Sequence, residues 1–130
     1  MIVVVTGSRI LVNHPMRLFL KQTFVERIAS LEPAAVYHGG AKGPDLWAWE
    51  AFMDIQRCFR PEPDDSLTPA QQLFKRNRTM IDAAMDADND LVLVACWDGK
   101  SKGTQHAMNY ARDMVIDIVE ITGTTLGGWS

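Results

Sequence analysis

Three short segments of the sequence combine glycine with hydroxyl, cationic or carboxylate side chains. They are Thr6-Gly7-Ser8-Arg9, His38 to Asp45 (HGGAKGPD) and Trp97 to Thr104 (WDGKSKGT). Glycine lets backbone N–H groups approach an anion closely, and a helix N-terminus adds partial positive charge. These residue types therefore suit the binding of a phosphate. Each segment could instead be a tight turn that needs glycine only for its backbone geometry.

The candidate ligand-binding residues fall into groups by the contact each could make. For close approach of the backbone to a ligand they are Gly7, Gly39, Gly40, Gly43 and Gly103. For hydroxyl, cationic, amide or stacking contacts they are Ser8, Arg9, Ala41, Lys42, Asp45, Arg76, Asn77, Trp97, Ser101 and Thr104. The arginines are favoured over the lysines because a planar guanidinium binds phosphate through two hydrogen bonds.

Several of these residues have an equally simple structural explanation. Thr104 could give its hydroxyl and N–H to a phosphate or act as an ordinary helix cap. Asn77 falls on the predicted inner face of a helix, where it needs partners, and we favour a neighbouring loop over the ligand. Trp97 could stack on a base or pack in the core or at an interface.

Two carboxylates, Asp45 and Asp98, are the candidate catalytic residues. Asp45 begins a predicted helix, where it could bind ribose hydroxyls, act as a base, or interact favourably with the helix dipole. Asp98 directly follows an apolar run. The three histidines are scattered along the sequence, so we predict no metal site. We also predict no cofactor.

The segments between these motifs predict the elements that position them. Ile2–Val5 and Leu91–Ala95 are continuous apolar runs, as expected for strands covered on both faces. Shorter strands are predicted near Val36-Tyr37, Arg57–Arg60 and Val115–Val119, with helices between them. This alternation predicts an α/β fold, a three-layer Rossmann-like sandwich whose central, mostly parallel five-stranded sheet has helices on both faces. The three polar segments all follow strands, so they should meet at the carboxyl edge of the sheet.

Length and composition limit the possible classes of protein. The 130 residues predict one domain over residues 1–121 and a flexible tail over 122–130. A net charge of −3 argues against nucleic acid as a partner. Cys58 and Cys96 form no spaced motif and indicate reduced thiols in a cytoplasmic protein. The apolar run at the N-terminus is too short for a signal peptide or a membrane span.

Four motifs together resemble the SLOG superfamily, in particular its small stand-alone bacterial and phage members. They are Val5–Arg9, His38–Asp45, Arg76–Met80 and Ser101–Thr104. This Rossmann-like group includes the Lonely-Guy phosphoribohydrolases and DNA-processing protein A. The resemblance implies a nucleotide or nucleotide-derived ligand held against the sheet edge. It also implies a homo-oligomer, either a dimer or a tetramer, and Trp47, Trp129 and the apolar helix faces are the features of the sequence that suggest an interface.

The sequence departs from the Lonely-Guy signature, Pro-Gly-Gly-x-Gly-Thr-x-x-Glu, at one informative position. Its glutamate, which in that family helps to cleave the N-glycosidic bond, is replaced here by Ala107. This favours a sensor, carrier or sequestering protein over an N-glycoside-cleaving or transferring enzyme, such as a phosphoribohydrolase or a deoxyribosyltransferase-like protein. A DNA-associated module is the third alternative, and the acidic charge and lack of a basic arm argue against it.

Overall fold

Five parallel strands form the centre of the molecule. The computed structural model describes residues 1–122. The strands are β1 (Ile2–Gly7), β2 (Ala35–His38), β3 (Gln56–Cys58), β4 (Leu91–Trp97) and β5 (Asp117–Thr122). Their order in the sheet is β3-β2-β1-β4-β5, and every neighbouring pair is parallel. The predicted fold class is confirmed.

Four α-helices cover the two faces of this sheet. They are α1 (Arg17–Ser30), α2 (Pro44–Ala51), α3 (Pro69–Ala87) and α4 (Lys102–Asp113), and a short 3-10 helix spans Arg9–Asn13. Apolar side chains of α1 and α2 pack on one face of the sheet, and those of α3 and α4 pack on the other. In β1, Val3 and Val5 face the first layer while Ile2 and Val4 face the second, which explains the uninterrupted apolar run.

Helix α3 begins where its sequence indicates. Thr68 Oγ1 accepts a hydrogen bond from Gln71 N–H, and the Gln71 side chain accepts one from Thr68 N–H. Pro69 occupies the first turn, where its missing N–H costs nothing. The start of α3 matters for function because this helix carries Arg76 and Asn77 on its inner side.

The last strand lies later in the chain than predicted. Val115 follows α4 with a φ of 59°, donates its N–H to the Arg112 carbonyl, and is 91% exposed. It therefore belongs to the turn that ends the helix, and β5 starts at Asp117. Because β5 ends at Thr122, it includes the first residue of the predicted tail; residues 123–130 lie outside the described part of the chain.

The chain reverses its direction of winding between β1 and β4. β2 and β3 lie on one side of β1, whereas β4 and β5 lie on the other. Such a reversal separates the loops that leave the two central strands and opens a crevice beyond their carboxyl ends. Within residues 1–122, no helix is both long and apolar enough to cross a membrane.

Candidate functional site

A cleft of about 310 Å³ opens beyond the carboxyl ends of β1 and β4. Its polar or small lining residues are Thr6, Gly7, Ser8, Arg9, Ala41, Asp45, Arg76, Asn77, Asp98, Ser101, Gly103 and Thr104. All three predicted polar segments therefore contribute to one cleft, together with the inner side of α3. This is the location that the strand order favours for a ligand.

The end of β1 is packed tightly against the start of α2. A Cβ atom on Gly7 would lie 2.3 Å from Pro44 Cγ and 2.6 Å from the Cys96 carbonyl oxygen. A side chain at position 7 would thus push α2 away from the sheet. Gly7 is explained by this packing as well as by its place in the cleft lining.

Ser8 and Asp98 connect the two central strands across the cleft. Ser8 Oγ donates to Asp98 Oδ1 at 3.0 Å, and the same oxygen accepts from the N–H groups of Lys100 and Ser101, both at 2.9 Å. Partial burial raises the pKa of Asp98, but these three hydrogen bonds outweigh it and hold the pKa below its usual value. Asp98 is therefore a carboxylate that orders the β4–α4 turn.

The glycine-rich turn after β2 wraps around the carboxylate of Asp45. Asp45 Oδ2 accepts from Gly39 N–H at 3.0 Å and from Ala41 N–H at 3.2 Å, while Asp45 Oδ1 is buried without a hydrogen-bond partner. Burial raises the pKa of Asp45 above its usual value, although the charge of Arg76 and the two N–H groups oppose the increase. Gly43 has a φ of 88°, in the region that favours glycine.

Arg76 fixes the glycine-rich turn from the opposite side. Its Nη1 donates to the Gly39 carbonyl at 3.0 Å and to the Phe59 carbonyl at 3.1 Å, and its Nε donates to Asn77 Oδ1 at 3.1 Å. Burial lowers the pKa of Arg76, while the nearby Asp45 acts in the opposite direction. The guanidinium is held by backbone carbonyls and still lines the cleft.

Asn77 lies on the inner face of α3, as predicted, and joins this helix to α4. It is buried, and its Nδ2 donates to the Gly103 carbonyl at 3.1 Å. The bond fixes the first turn of α4 relative to α3. Asn77 also lines the cleft, so a loop contact and a ligand contact are compatible.

The N-terminus of α4 presents hydrogen-bond donors to the cleft. The Ser101 side chain makes no capping bond, and the first helical hydrogen bond runs from Gln105 N–H to the Ser101 carbonyl. The N–H groups of Lys102, Gly103 and Thr104 therefore precede the hydrogen-bonded part of the helix. Thr104 Oγ1 is buried without a hydrogen-bond partner. A Cβ atom on Gly103 would meet no atom within 4 Å, so this side of the helix end is open.

Five predicted binding residues do not line the cleft. They are Gly39, Gly40, Lys42, Gly43 and Trp97. The glycines shape the turn that holds Asp45, and Lys42 is exposed outside the cleft. Stacking of a base on Trp97 is not supported. Its ring lies among the α3 and α4 side chains, and its Nε1 donates to Glu120 Oε2 at 2.6 Å. Alternation along β4 directs Trp97 into the core, so Asp98 is the first residue that can face the cleft.

The cleft also has an apolar part that the sequence analysis did not single out. It consists of Val5, Ile10, Leu73 and Met80. Leu73, Arg76, Asn77 and Met80 recur at three- to four-residue spacing on α3, which is the signal that could have identified this wall. Ala107 is fully buried in the core between α3, α4 and the sheet, and it does not line the cleft.

No group of three or more His, Cys, Asp or Glu side chains within residues 1–122 is arranged to hold a metal ion.

Trp47, which suggested an oligomer interface, is partly buried against the core and makes an edge contact with Phe24 at 6.2 Å between ring centroids. Trp129 lies outside the described residues. The homo-oligomer stays a prediction.

The chain combines a Rossmann-like three-layer fold with a polar cleft at the reversal of strand order. Neither protein-family models nor the sequences of curated proteins give a match. Among solved structures, DNA processing protein A from Helicobacter pylori matches with a TM-score of 0.67 at 17% sequence identity. The match covers 92% of this chain and 64% of that chain. It supports the predicted resemblance to DNA-processing protein A at the level of the fold. The similarity to Lonely-Guy enzymes and the SLOG assignment stay predictions.

This comparison corrects one expectation drawn from charge. DNA processing protein A from Helicobacter pylori has a single-stranded DNA binding mode. The argument that a net charge of −3 disfavours nucleic acid as a partner is therefore wrong for this fold. Net charge describes the whole surface, whereas a nucleic acid contacts one part of it.

Proposed function

We propose that the cleft binds a nucleotide or nucleotide-derived phosphorylated ligand, as a sensor, carrier or sequestering protein. In this proposal the phosphate binds at the N-terminus of α4 and at Arg9, and a sugar hydroxyl binds at Asp45. A phosphate accepts hydrogen bonds, and a helix N-terminus supplies donors and partial positive charge for it. A sugar hydroxyl can donate a hydrogen bond to a carboxylate.

The observation that carries the proposal is a pair of unpartnered buried oxygens on two sides of one cleft. They are Asp45 Oδ1 and Thr104 Oγ1. Leaving such an atom unpaired costs about 1–3 kcal/mol, so a ligand that completes both hydrogen bonds gains affinity from them. A hydroxyl at position 104 can donate to phosphate, whereas an ionised carboxylate at position 45 can only accept.

Isothermal titration calorimetry with thymidine 5′-monophosphate, thymidine and inorganic phosphate tests this assignment. We expect the monophosphate to bind more tightly than the nucleoside. Thr104→Val removes the hydroxyl but keeps the shape of the side chain. It should weaken binding of the monophosphate by about tenfold and leave the affinity for the nucleoside nearly unchanged. Thr23→Val on α1 is the matched control. A panel of other nucleoside monophosphates and a thymidine homo-oligonucleotide covers other bases and single-stranded DNA. If none of these probes binds, the proposal fails.

A second candidate function is cleavage of the N-glycosidic bond of a nucleoside phosphate. The observation that favours it is that one cleft contains two carboxyl groups whose pKa values are shifted in opposite directions. The pKa of Asp45 is raised and that of Asp98 is lowered. A protonated Asp45 could give its proton to the departing base, and an ionised Asp98 could stabilise the oxocarbenium-like carbon that water attacks. The attacking water adds its oxygen to that carbon, and the proton it releases restores the acid form of Asp45. The products would be the free base and the sugar phosphate.

Chromatography of the incubated monophosphate separates the two candidates. Release of free base that is lost in both Asp45→Asn and Asp98→Asn would establish the enzyme. Binding without release of base supports the sensor, carrier or sequestering protein.

A further inference from the structure

A second cavity, of about 410 Å³, lies between β3 and α3. Its charged lining residues are Arg57, Arg60, Lys75, Arg76 and Glu62, so cations exceed anions by four to one. The chain as a whole carries a net charge of −3. Positive charge is thus concentrated in this cavity against the overall balance of the protein.

Aromatic rings hold two of these cations in place. The Arg57 guanidinium carbon lies 4.7 Å from the Phe59 ring centroid and 5.5 Å from that of Tyr37. The Arg60 guanidinium carbon lies 5.8 Å from the Trp49 ring centroid. A guanidinium stacked on an aromatic face keeps its N–H edge available for an anion.

Within residues 1–122, no carboxylate forms an ion pair within 4.0 Å of a cation of this cavity. Within residues 1–122, the ion pairs shorter than 4.0 Å involve the N-terminal amine and Lys21. Lys75 acts over a longer distance on Asp64, whose pKa is lowered first by hydrogen bonds from Ser66 and to a lesser degree by the Lys75 charge. An anionic ligand would supply the missing opposite charge.

The second cavity and the cleft share Arg76. This residue lines both. Its Nη1 is fixed by the carbonyl oxygens of Gly39, in the glycine-rich turn, and of Phe59, which lines the second cavity. Arg60 also reaches the glycine-rich turn, because a Cβ atom on Gly40 would lie 3.1 Å from its guanidinium carbon. The cleft and the second cavity therefore adjoin at Arg76, and Arg60 and Lys75 line the second cavity.

We propose that the β3–α3 cavity is a second phosphate subsite, and that the preferred ligand is a nucleoside phosphorylated at both its 3′ and 5′ positions. Such a unit occurs as a free bisphosphate and within a single strand of nucleic acid. The inference rests on the proposed function, since it assigns the first phosphate to the cleft and the second to this cavity. Each added phosphate contact also increases the salt dependence of binding.

Calorimetry with three probes tests the subsite: thymidine 5′-monophosphate, thymidine 3′,5′-bisphosphate and a thymidine tetranucleotide with a 5′-phosphate. We expect the bisphosphate to bind about five- to tenfold more tightly than the monophosphate. Arg60→Gln and Lys75→Gln should each reduce this gain and leave the affinity for the monophosphate unchanged. Arg27→Gln, on the opposite face of the sheet, removes one positive charge and should preserve the gain. Thermal denaturation of each variant checks that the fold is retained.

The outcomes separate this inference from the proposed function. Equal affinities for monophosphate and bisphosphate in the unmodified protein would overturn the subsite and leave the proposed function standing. An equal loss of affinity for the monophosphate and the bisphosphate in Arg60→Gln would also overturn the subsite. Absence of binding by every probe overturns the proposed function as well. If the bisphosphate binds more tightly than the monophosphate and the tetranucleotide binds more tightly still, the subsite is supported and the single strand is identified as its source.

Discussion

Ser8 and Asp98 exchange two hydrogen bonds although 90 residues separate them in the sequence. Ser8 Oγ donates to Asp98 Oδ1 at 3.0 Å and accepts from Asp98 N–H at 3.2 Å. The pair joins the ends of β1 and β4 where the winding of the chain reverses. Because Asp98 Oδ1 also orders the turn before α4, this connection determines where the helix N-terminus stands in the cleft.

We predict that Ser8→Ala lowers both the stability of the fold and its affinity for a phosphorylated ligand. Loss of the buried hydroxyl removes both hydrogen bonds between Ser8 and Asp98, at an expected cost of about 1–2 kcal/mol in the free energy of unfolding. Urea denaturation measures that cost, and calorimetry with thymidine 5′-monophosphate measures the affinity. The control is Ser30→Ala, because the Ser30 hydroxyl makes only an exposed bond to the Arg27 carbonyl. Equal stability of the two variants would contradict the structural role of Ser8.

The burial of Asp45 should make the stability of the protein fall as the pH rises, which an exposed carboxylate would not do. Burial raises the pKa of its carboxyl above the ordinary value of 3.8. Above pH 3.8 the folded state therefore retains a proton that the unfolded chain releases, so the contribution of Asp45 to stability falls as the pH rises through the folded-state pKa.

The variant Asp45→Asn should remove this dependence. Its amide oxygen can still accept from Gly39 N–H and Ala41 N–H, so the turn is kept. We expect the stability of the variant relative to the unmodified protein to increase as the pH is raised from about 4 toward 7. Urea denaturation across that range measures the difference, with Asp86→Asn on the exposed side of α3 as control. A difference that stays constant with pH would show that the carboxyl of Asp45 does not titrate as inferred.

The sequence was most informative where local pattern and tertiary structure require the same residue. The apolar run of β1 predicts a strand covered on both faces, and the Thr68–Gln71 capping box predicts the start of α3; both are confirmed. The polar segments predict one shared sheet edge because parallel strands bring their carboxyl ends together. These inferences need only periodicity and the rules of α/β topology.

The direction of side chains at the ends of strands could not be predicted in the same way. Trp97 and Asp98 are adjacent in a polar turn, yet one is buried in the core and the other lines the cleft. The number of residues by which β4 extends decides between them, and pairing with β5 sets that extension. The positive φ of Val115, which delays β5, likewise depends on how α4 ends.

Two glycines that look alike in the sequence should respond to substitution in opposite ways. A Cβ atom on Gly39 would lie 1.7 Å from Arg76 Nη1, within the position that the guanidinium occupies. Gly39→Ala must therefore displace Arg76 from the carbonyls of Gly39 and Phe59, with an expected loss of about 2–3 kcal/mol in the free energy of unfolding. A Cβ atom on Gly103 meets nothing within 4 Å, and its position in α4 favours alanine.

Gly103→Ala should therefore leave stability unchanged or increase it by up to about 1 kcal/mol. Its methyl group would nevertheless occupy the open side of the helix end where we place the phosphate, so affinity for thymidine 5′-monophosphate should fall. Urea denaturation and calorimetry on the two variants separate these effects, since Gly39→Ala should lose stability and Gly103→Ala should lose affinity for the ligand. Unchanged affinity in Gly103→Ala would place the phosphate elsewhere in the cleft, because a ligand held by the first N–H groups of α4 cannot avoid a methyl group at that position.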